Sequence, residues 1–384
     1  MKYTFKDICT KIGSGATPTG GKEAYKGGDY ALVRSQNVLD YTFTTSGLAY
    51  INETQAKKLD GVKVEVGDVL LNITGDSVAR ACIIPDEILP ARVNQHVAII
   101  RANNQYALNE YLLYFLQYNK QHLLSISQGG GTRSAITKKM IEDIEINLPS
   151  IEDQSAIVNI INSISKKIEL NRQINDNLEQ QAQAIYKSWF VDFEPFKDQE
   201  FVDSEIGLIP ENWNCTTLSE FISIKYGKDH KKLADGIIPV FGSGGLMRYV
   251  DTKLHEGESV LIPRKGSLNN VMYVNEAFWT VDTMFYSTPK VENSCIYAYL
   301  FLANKDLASM NAGSAVPSMT TDILNNMPII APPIEVLKQF NNICNVYFSR
   351  IHQNNIENAN LAKQRDTLLP KLMSGELKIN EIDC

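Results

Sequence analysis

The sequence predicts an α+β protein built twice: two strand-rich globular units, each followed by one long polar helix. Three observations carry this. Residues 128–137 and 141–152 align at a constant offset of 183 with residues 311–320 and 324–335. Short apolar runs separated by Gly, Asn, Asp and Pro recur in both halves. Both halves then run into helical stretches with matched seams. A tandem duplication of this kind gives a molecule with two related binding faces.

In residues 1–150 the runs at 30–33, 69–73 and 96–101 read as strands and 108–121 as a helix, because β-branched runs bounded by turn residues suit strands. The second unit, 213–330, repeats the plan with strands at 260–263, 271–274 and 285–287 and a helix at 294–304. Its offset from the first unit drifts from 213 at residues 5–8 against 218–221, to 190 at Gly67 against Gly257, and then to 183. The second unit has lost residues from its body while keeping its frame, the pattern of variable loops on a constant scaffold.

Residues 151–190 form the first long helix, 191–212 a linker, and 331–384 the second helix with a tail. At 3.5-residue spacing the first seam reads Ile157, Ile161, Ile164, Ile168, Asn171, Asn175, Leu178, Ala182, Ile185. The positions 183 later are Phe340, Cys344, Tyr347, Ile351, Asn354, Asn358, Leu361, Arg365, Leu368. Both seams are interrupted by paired asparagines at matching places. Asn on a helical seam costs stability and fixes register, so the helices are predicted to pack antiparallel with Asn171, Asn175, Asn354 and Asn358 near the middle. The competing arrangement packs each helix only on its own domain. A helix of about 36 residues spans ~54 Å, long enough to act as a ruler.

At 384 residues and 44% apolar content, the chain has room for two or three cored domains. No apolar window approaches ~18 residues and the N-terminus lacks a signal-peptide run, so no membrane is expected. The six cysteines, Cys9, Cys82, Cys215, Cys295, Cys344 and Cys384, contain no Cys-x-x-Cys pair. That argues against a zinc ribbon or a disulfide framework and for a reducing cytoplasm. The net charge is −7, with the acid excess concentrated in residues 151–204, which carry 5 basic against 10 acidic side chains; residues 1–150 carry 16 against 15. Near-neutral globular parts with local basic clusters are compatible with a protein that grips DNA weakly alone and leaves most phosphate contacts to partner subunits, and on charge alone equally with one that has no nucleic-acid role.

Catalytic motifs are mostly absent. Gly13-Ser-Gly-Ala-Thr-Pro-Thr-Gly-Gly-Lys22 is not a phosphate loop, because Ala16 stands where the leading Gly belongs and Glu23 replaces the magnesium-holding Ser/Thr. The Gly129–131 run lacks the strand and helix of a dinucleotide site. His96, His122, His230, His255 and His352 share no metal-ligand spacing. Neither a nucleophile elbow nor the Asn-Pro-Pro-aromatic motif of an amino-methyltransferase is found.

What remains is a set of polar, glycine-containing loops. In the first unit they hold Thr17, Thr19 and Lys22; Arg34, Ser35, Gln36 and Asn37; Thr74; Arg92, Asn94 and Gln95; and Gln128, Gly130, Thr132, Arg133 and Ser134. In the second they hold Lys228, His230, Lys231 and Lys232; Ser243 and Arg248; Arg264, Lys265, Ser267 and Asn269; and Ser314. Arg reaches guanine edges bidentately, Asn and Gln reach adenine, and Gly lets backbone amides approach phosphates. Arg133 either touches DNA or braces its own glycine loop. Phe278 and Trp279 suit a core better than a stacking platform.

The chain resembles the specificity subunit of a type I restriction-modification system over essentially its whole length. The resemblance rests on Ile146-Asn-Leu-Pro-Ser-Ile-Glu-Asp-Gln154 and Ile329-Ile-Ala-Pro-Pro-Ile-Glu335, on Tyr186-Lys-Ser-Trp-Phe-Val-Asp-Phe-Glu-Pro195, on Ile206-Gly-Leu-Ile-Pro-Glu-Asn-Trp213, and on Leu369-Pro-Lys-Leu-Met-Ser-Gly-Glu-Leu377. It implies two pseudo-symmetric target recognition domains, each reading half of a bipartite, asymmetric sequence in double-stranded DNA. Two long antiparallel helices would form the coiled-coil-like spacer between them. It further implies two adenine methyltransferase subunits as partners, restriction subunits in the full complex, and S-adenosylmethionine on the methyltransferase, with no cofactor, metal or catalytic residue on this chain. The family pattern Pro-Pro-x-x-Glu-Gln is altered here: Ser150 replaces the second Pro before Asp153-Gln154, and Val336-Leu337 follow Glu335. The two helices are therefore expected to start differently. The rival readings are a pseudo-symmetric protein adaptor that never meets DNA and a stand-alone nuclease with dispersed carboxylates.

Overall fold

The structure, a computed structural model, describes residues 2–18, 25, 27–128, 134–310 and 318–377. It divides into one unit of residues 1–170 and 357–384 and another of residues 171–356. The boundary falls inside both long helices, Ile151–Phe190 and Ile334–Ser374, because one end of each helix buries its apolar positions in one unit's core and the other end in the other's.

In the first unit an antiparallel sheet runs in the order Cys9–Ser14, Val97–Ala102, Val69–Asn72, Ala81–Ile83. A second sheet has the order Ala49–Ile51, Tyr30–Val33, Ala91–Val93, the last two strands parallel. The apolar runs at 69–71 and 97–100 are continuous because both faces of the four-stranded sheet are covered. Val69, Leu71, Ala98 and Ile100 enter a core with helix Asn109–Tyr118. Leu70, Val97 and Ile99, alternating with them, enter a core with the second sheet, as the two-residue period of a strand requires. Ile157, Val158 and Ile161 of the first long helix and Leu369 and Leu372 of the second complete the helix-side core.

The second unit holds a six-stranded sheet in the order Ile222–Tyr226, Met284–Pro289, His255–Pro263, Met272–Thr280, Ile238–Gly242, Gly245–Val250. Helix Cys295–Ala303 lies in its core and is buried on every side along residues 295–302, which explains why its apolar pattern has no polar face. Ala182, Tyr186 and Phe190 of the first long helix share this core with Leu337, Phe340, Cys344 and Phe348 of the second. The stretch read as a linker is structured. Phe193 and Phe196 pack on Trp213 at 5.5 and 4.9 Å between ring centroids, and Phe201–Ser204 pairs with Gly207–Pro210.

The duplicated frame is explicit in hydrogen bonds. Lys2–Thr4 pairs with Glu145–Asn147, and Asn214–Thr217 with Pro328–Ala331. Phe5 N donates to Ile144 O as Leu218 N does to Met327 O, both at 2.9 Å.

Every seam position on the two long helices is buried or half-buried. Within the second unit Asn175 meets Asn354 and Asn355, while Tyr186 and Phe190 meet Phe340, so the two segments run antiparallel. Within the first unit Lys167 pairs with Glu357 at 3.3 Å. The helix starts do differ. Ser150 Oγ accepts from Asp153 N at 3.1 Å and donates to its carboxylate at 3.0 Å, an N-cap. Gln154, fully buried, donates to Tyr106 O and accepts from Leu108 N, both at 3.0 Å. Its equivalent, Leu337, is buried in the apolar core. One helix docks by hydrogen bonds and the other by apolar packing. No helix among the described residues is long and apolar enough to cross a membrane.

Candidate nucleic-acid interface

The first unit gathers five chain segments at one end of its two sheets. Asn72, fully buried at the end of its strand, donates through Nδ2 to Ser35 O at 2.9 Å and Val38 O at 3.2 Å. His96 sits between Thr74 Oγ1, 2.6 Å from Nδ1, and Gln95 Nε2, 3.0 Å from Nε2. Its backbone N donates to Asn94 Oδ1 at 2.9 Å. Gly15 N donates to Asn94 O at 3.1 Å, and a Cβ on Gly15 would lie 1.7 Å from Val93 O. Only glycine permits that approach. Gly75 N donates to Ser134 O at 3.1 Å and closes the cluster.

Within it, Gln36 is exposed and its Nε2 reaches Gly47 O at 3.2 Å. Arg34 is half-buried, donates to Gly47 O and lies 5.9 Å from the Tyr25 ring. Thr17 and Gln128 are exposed, and Ser35, Thr74, Gln95 and Ser134 are half-buried.

Three residues chosen as DNA contacts face inward instead. Arg92, 4% exposed, pairs with Asp60 at 2.6 Å, donates to Ala56 O and Ala91 O, and stacks on Tyr30. Asn37, fully buried, donates to Thr44 O and Ser46 O and accepts from Arg34 N. Asn94, 7% exposed, braces the turn before His96. The physical reason is shared: a buried polar side chain must find partners, and these find theirs in the protein. Thr19, Lys22, Gly130, Thr132, Arg133 and Ser314 lie outside the described residues.

The second unit gathers its loops in the same way. Lys228 N donates to Thr280 O, and Trp279 Nε1 to Lys228 O, both at 2.9 Å. Val281 N donates to Phe241 O at 3.1 Å, and Asn270 Nδ2 to Ser243 O at 2.9 Å. Lys228, Lys231, Lys232, Lys265 and Ser267 are exposed, and His230, Ser243 and Arg264 are half-buried. Arg264 lies 5.4 Å from the Tyr226 ring and donates to Asp282 O at 3.3 Å. Arg248 is taken up by Asp235 at 2.9 Å and by Leu233 O. Asn269 is likewise occupied, donating to Asp306 Oδ1 at 3.1 Å and accepting from Ala308 N at 2.8 Å. Its amide holds the Asp306 carboxyl below the usual range. Phe278 and Trp279 are core residues.

The two clusters occupy the same place in the duplicated frame. Thr74 bridges Ala135, and Lys265 bridges Ser318. Ile136 N donates to Ile73 O at 2.8 Å, and Met319 N to Arg264 O at 2.9 Å. Ala135 and Ser318 are 183 residues apart, as are Ile136 and Met319. Each unit therefore holds two loops together at equivalent points but presents different side chains there, Thr74 in one and Lys265 in the other.

Residues 41–47 were not singled out from the sequence, yet their carbonyls hold Arg34, Gln36 and Asn37. The signal was present in the polar run Thr42-Phe-Thr-Thr-Ser-Gly47. Leu246 and Met247, in the candidate loop 241–248, are exposed beside Ser243 on their hairpin. Burial pushes the Cys9, Cys82 and Cys344 thiols up to about 12, so none is an activated thiolate near neutral pH. Among the described residues no group of three or more His, Cys, Asp or Glu is placed to hold a metal ion.

A family model described as the type I restriction modification DNA specificity domain matches residues 1–180 and again residues 210–361. The type I restriction enzyme MjaIX specificity subunit of Methanocaldococcus jannaschii is 26% identical, over 98% of this chain and 93% of its own length. The type I restriction enzyme HindI specificity subunit of Haemophilus influenzae is 23% identical, over 90% of this chain and 94% of its own. Among solved structures, the type-I restriction-modification system S subunit from M. genitalium is similar in fold, with a TM-score of 0.56 at 16% identity, covering 97% of this chain and 95% of that one. With two matched stretches that together take in most of the sequence, the chain belongs to the type I restriction modification DNA specificity domain family and carries that domain twice.

Proposed function

We propose that this chain is the non-catalytic DNA-specificity subunit of a cytoplasmic type I restriction-modification complex. Its two domains each read half of a bipartite, asymmetric site in double-stranded DNA. Two adenine methyltransferase subunits dock on it and carry S-adenosylmethionine, and restriction subunits join in the full nuclease. The observation that carries this reading is the equivalence of the Thr74–Ala135 and Lys265–Ser318 bridges: one scaffold, two sets of side chains, hence two different half-sites. Each base-edge contact supplies ~1–3 kcal/mol of discrimination, and partner subunits add phosphate grip.

The long helices would act as the ruler. At 40 and 41 residues each spans ~60 Å, which accommodates half-site centres roughly 18 bp apart or somewhat less at ~3.4 Å per base pair. Co-expression with a type I adenine methyltransferase subunit, followed by genome-wide mapping of methylated adenines, tests the proposal. A split motif with a fixed gap is the expected result. A folded complex that methylates no motif and binds no DNA would instead favour a protein adaptor.

A further inference from the structure

Arg365 stands where the duplicated seam has Ala182 in the first helix. Ala182 is fully buried in the apolar core of its own unit. Arg365, whose side chain is 13% exposed, leaves the apolar pattern and places its guanidinium carbon 3.7 Å from the centre of the Tyr41 ring. Asp366 pairs with it at 2.9 Å and orients the fork. A cation held this close to a half-buried ring gains more than an exposed pair would.

Tyr41 is an unusual anchor. It holds a left-handed backbone, φ 64°, which costs a non-glycine residue energy and persists only where the surroundings enforce it. Three contacts enforce it here. Tyr41 N donates to Ala81 O at 2.9 Å. The neighbouring Asp40 pairs with Lys120. The Tyr41 ring lies 6.3 Å from that of Tyr114, whose hydroxyl donates to Asn162 of the first long helix. Burial pushes the Tyr41 hydroxyl up to about 12, with Arg365 pulling against it. Both long helices thus converge on the residue that opens the 41–47 loop, and that loop supplies the carbonyls on which Arg34, Gln36 and Asn37 are braced.

We propose that Arg365 is a positioning residue for DNA recognition: through Tyr41 it lets the second long helix set the loop that aims Arg34 and Gln36. The inference rests on the reading of the chain as a DNA-specificity subunit. Ala182, its equivalent, is only apolar core, so the coupling is built into one domain and not the other.

The test uses the complex with its methyltransferase and reads the preference at every position of both half-sites from the adenine methylation map. Arg365→Ala is expected to relax one half-site by tenfold or more, leaving the other half-site and the gap unchanged. Arg365→Lys, which keeps a cation over the ring, should restore discrimination to within a few-fold. Tyr41→Ala should relax the same half-site as Arg365→Ala. Equal relaxation of both half-sites, or unchanged preference in Arg365→Ala, overturns the inference, as does a loss in Arg365→Ala that merely follows a lowered melting temperature and is removed by cooling. A wild-type complex that methylates no split motif defeats the underlying reading of function instead, so the two failures are distinguishable.

Discussion

Asn354, 1% exposed, donates through Nδ2 to Asn175 Oδ1 at 2.7 Å, and Asn175 passes its own amide to Asn355 Oδ1 at 3.0 Å. A polar pair on a seam that is apolar toward both ends is satisfied best in one register, because a slip would separate the two amides. Asn354→Ala should therefore cost the second unit about 1–3 kcal/mol, the usual penalty for stranding a hydrogen-bond partner. The double replacement Asn175→Leu with Asn354→Leu should recover most of that loss. All three tryptophans, Trp189, Trp213 and Trp279, lie in this unit, so urea titration followed by tryptophan fluorescence reads its stability alone.

Arg92→Ala should act on stability and leave DNA contacts unchanged. The side chain is held by Asp60, two backbone carbonyls and the Tyr30 ring, and charge-assisted hydrogen bonds contribute about 1.5–3 kcal/mol. The expected signature is earlier exposure of Cys82, whose side chain packs in the same core, to a thiol reagent in urea. The tryptophan transition of the second unit should not move, and the salt dependence of DNA binding by the complex should stay the same.

Lys231→Ala and Lys232→Ala should do the reverse. Both side chains are exposed in the loop that follows strand Ile222–Tyr226. Each lost phosphate contact should lower the slope of log affinity against log salt by about 1 and weaken binding to all sequences alike. Fluorescence anisotropy of a labelled duplex over a salt series, with the methyltransferase present, measures this.

Buried thiols give a check on both cores. Cys82 and Cys344 are buried with their thiols pushed up to about 12, so at pH 8 they stay protonated and shielded. Neither should label in the folded protein, and both should label on unfolding, as mass spectrometry of modified peptides would show. Labelling of Cys344 in the native state would contradict the packing of the second long helix against its domain.

Much of this was legible in the sequence, for reasons that also mark where legibility ended. The strands at 69–72 and 97–100 stand out because both faces of their sheet are buried, and the helix Cys295–Ala303 because it has no polar face. The loops that converge at the candidate interface were identifiable from their glycines and amides. Their inward-facing members were not. Arg92 sits in a run of groove-reading residue types, but its partner Asp60 is 32 residues away and nothing local announces it. Arg365 falls on the helical seam and predicts a helix–helix contact, whereas its partner is Tyr41 in a distant loop. The 191–212 segment reads as a linker by position, yet Phe193, Phe196 and Phe201 make it a packed aromatic cap. In each case a tertiary partner, set by the fold, decided the role of a residue whose local pattern allowed several.

The ruler is best tested by inserting one helical turn, four residues, after Leu170 and four more after Ile356, so that both helices lengthen in step, and mapping the methylated adenines of the resulting complex. Four residues add ~6 Å of helix, or about one to two base pairs at ~3.4 Å each. Both half-sites should stay as they were while the gap between them grows by that amount. An unchanged gap, with both half-sites still methylated, would contradict the ruler.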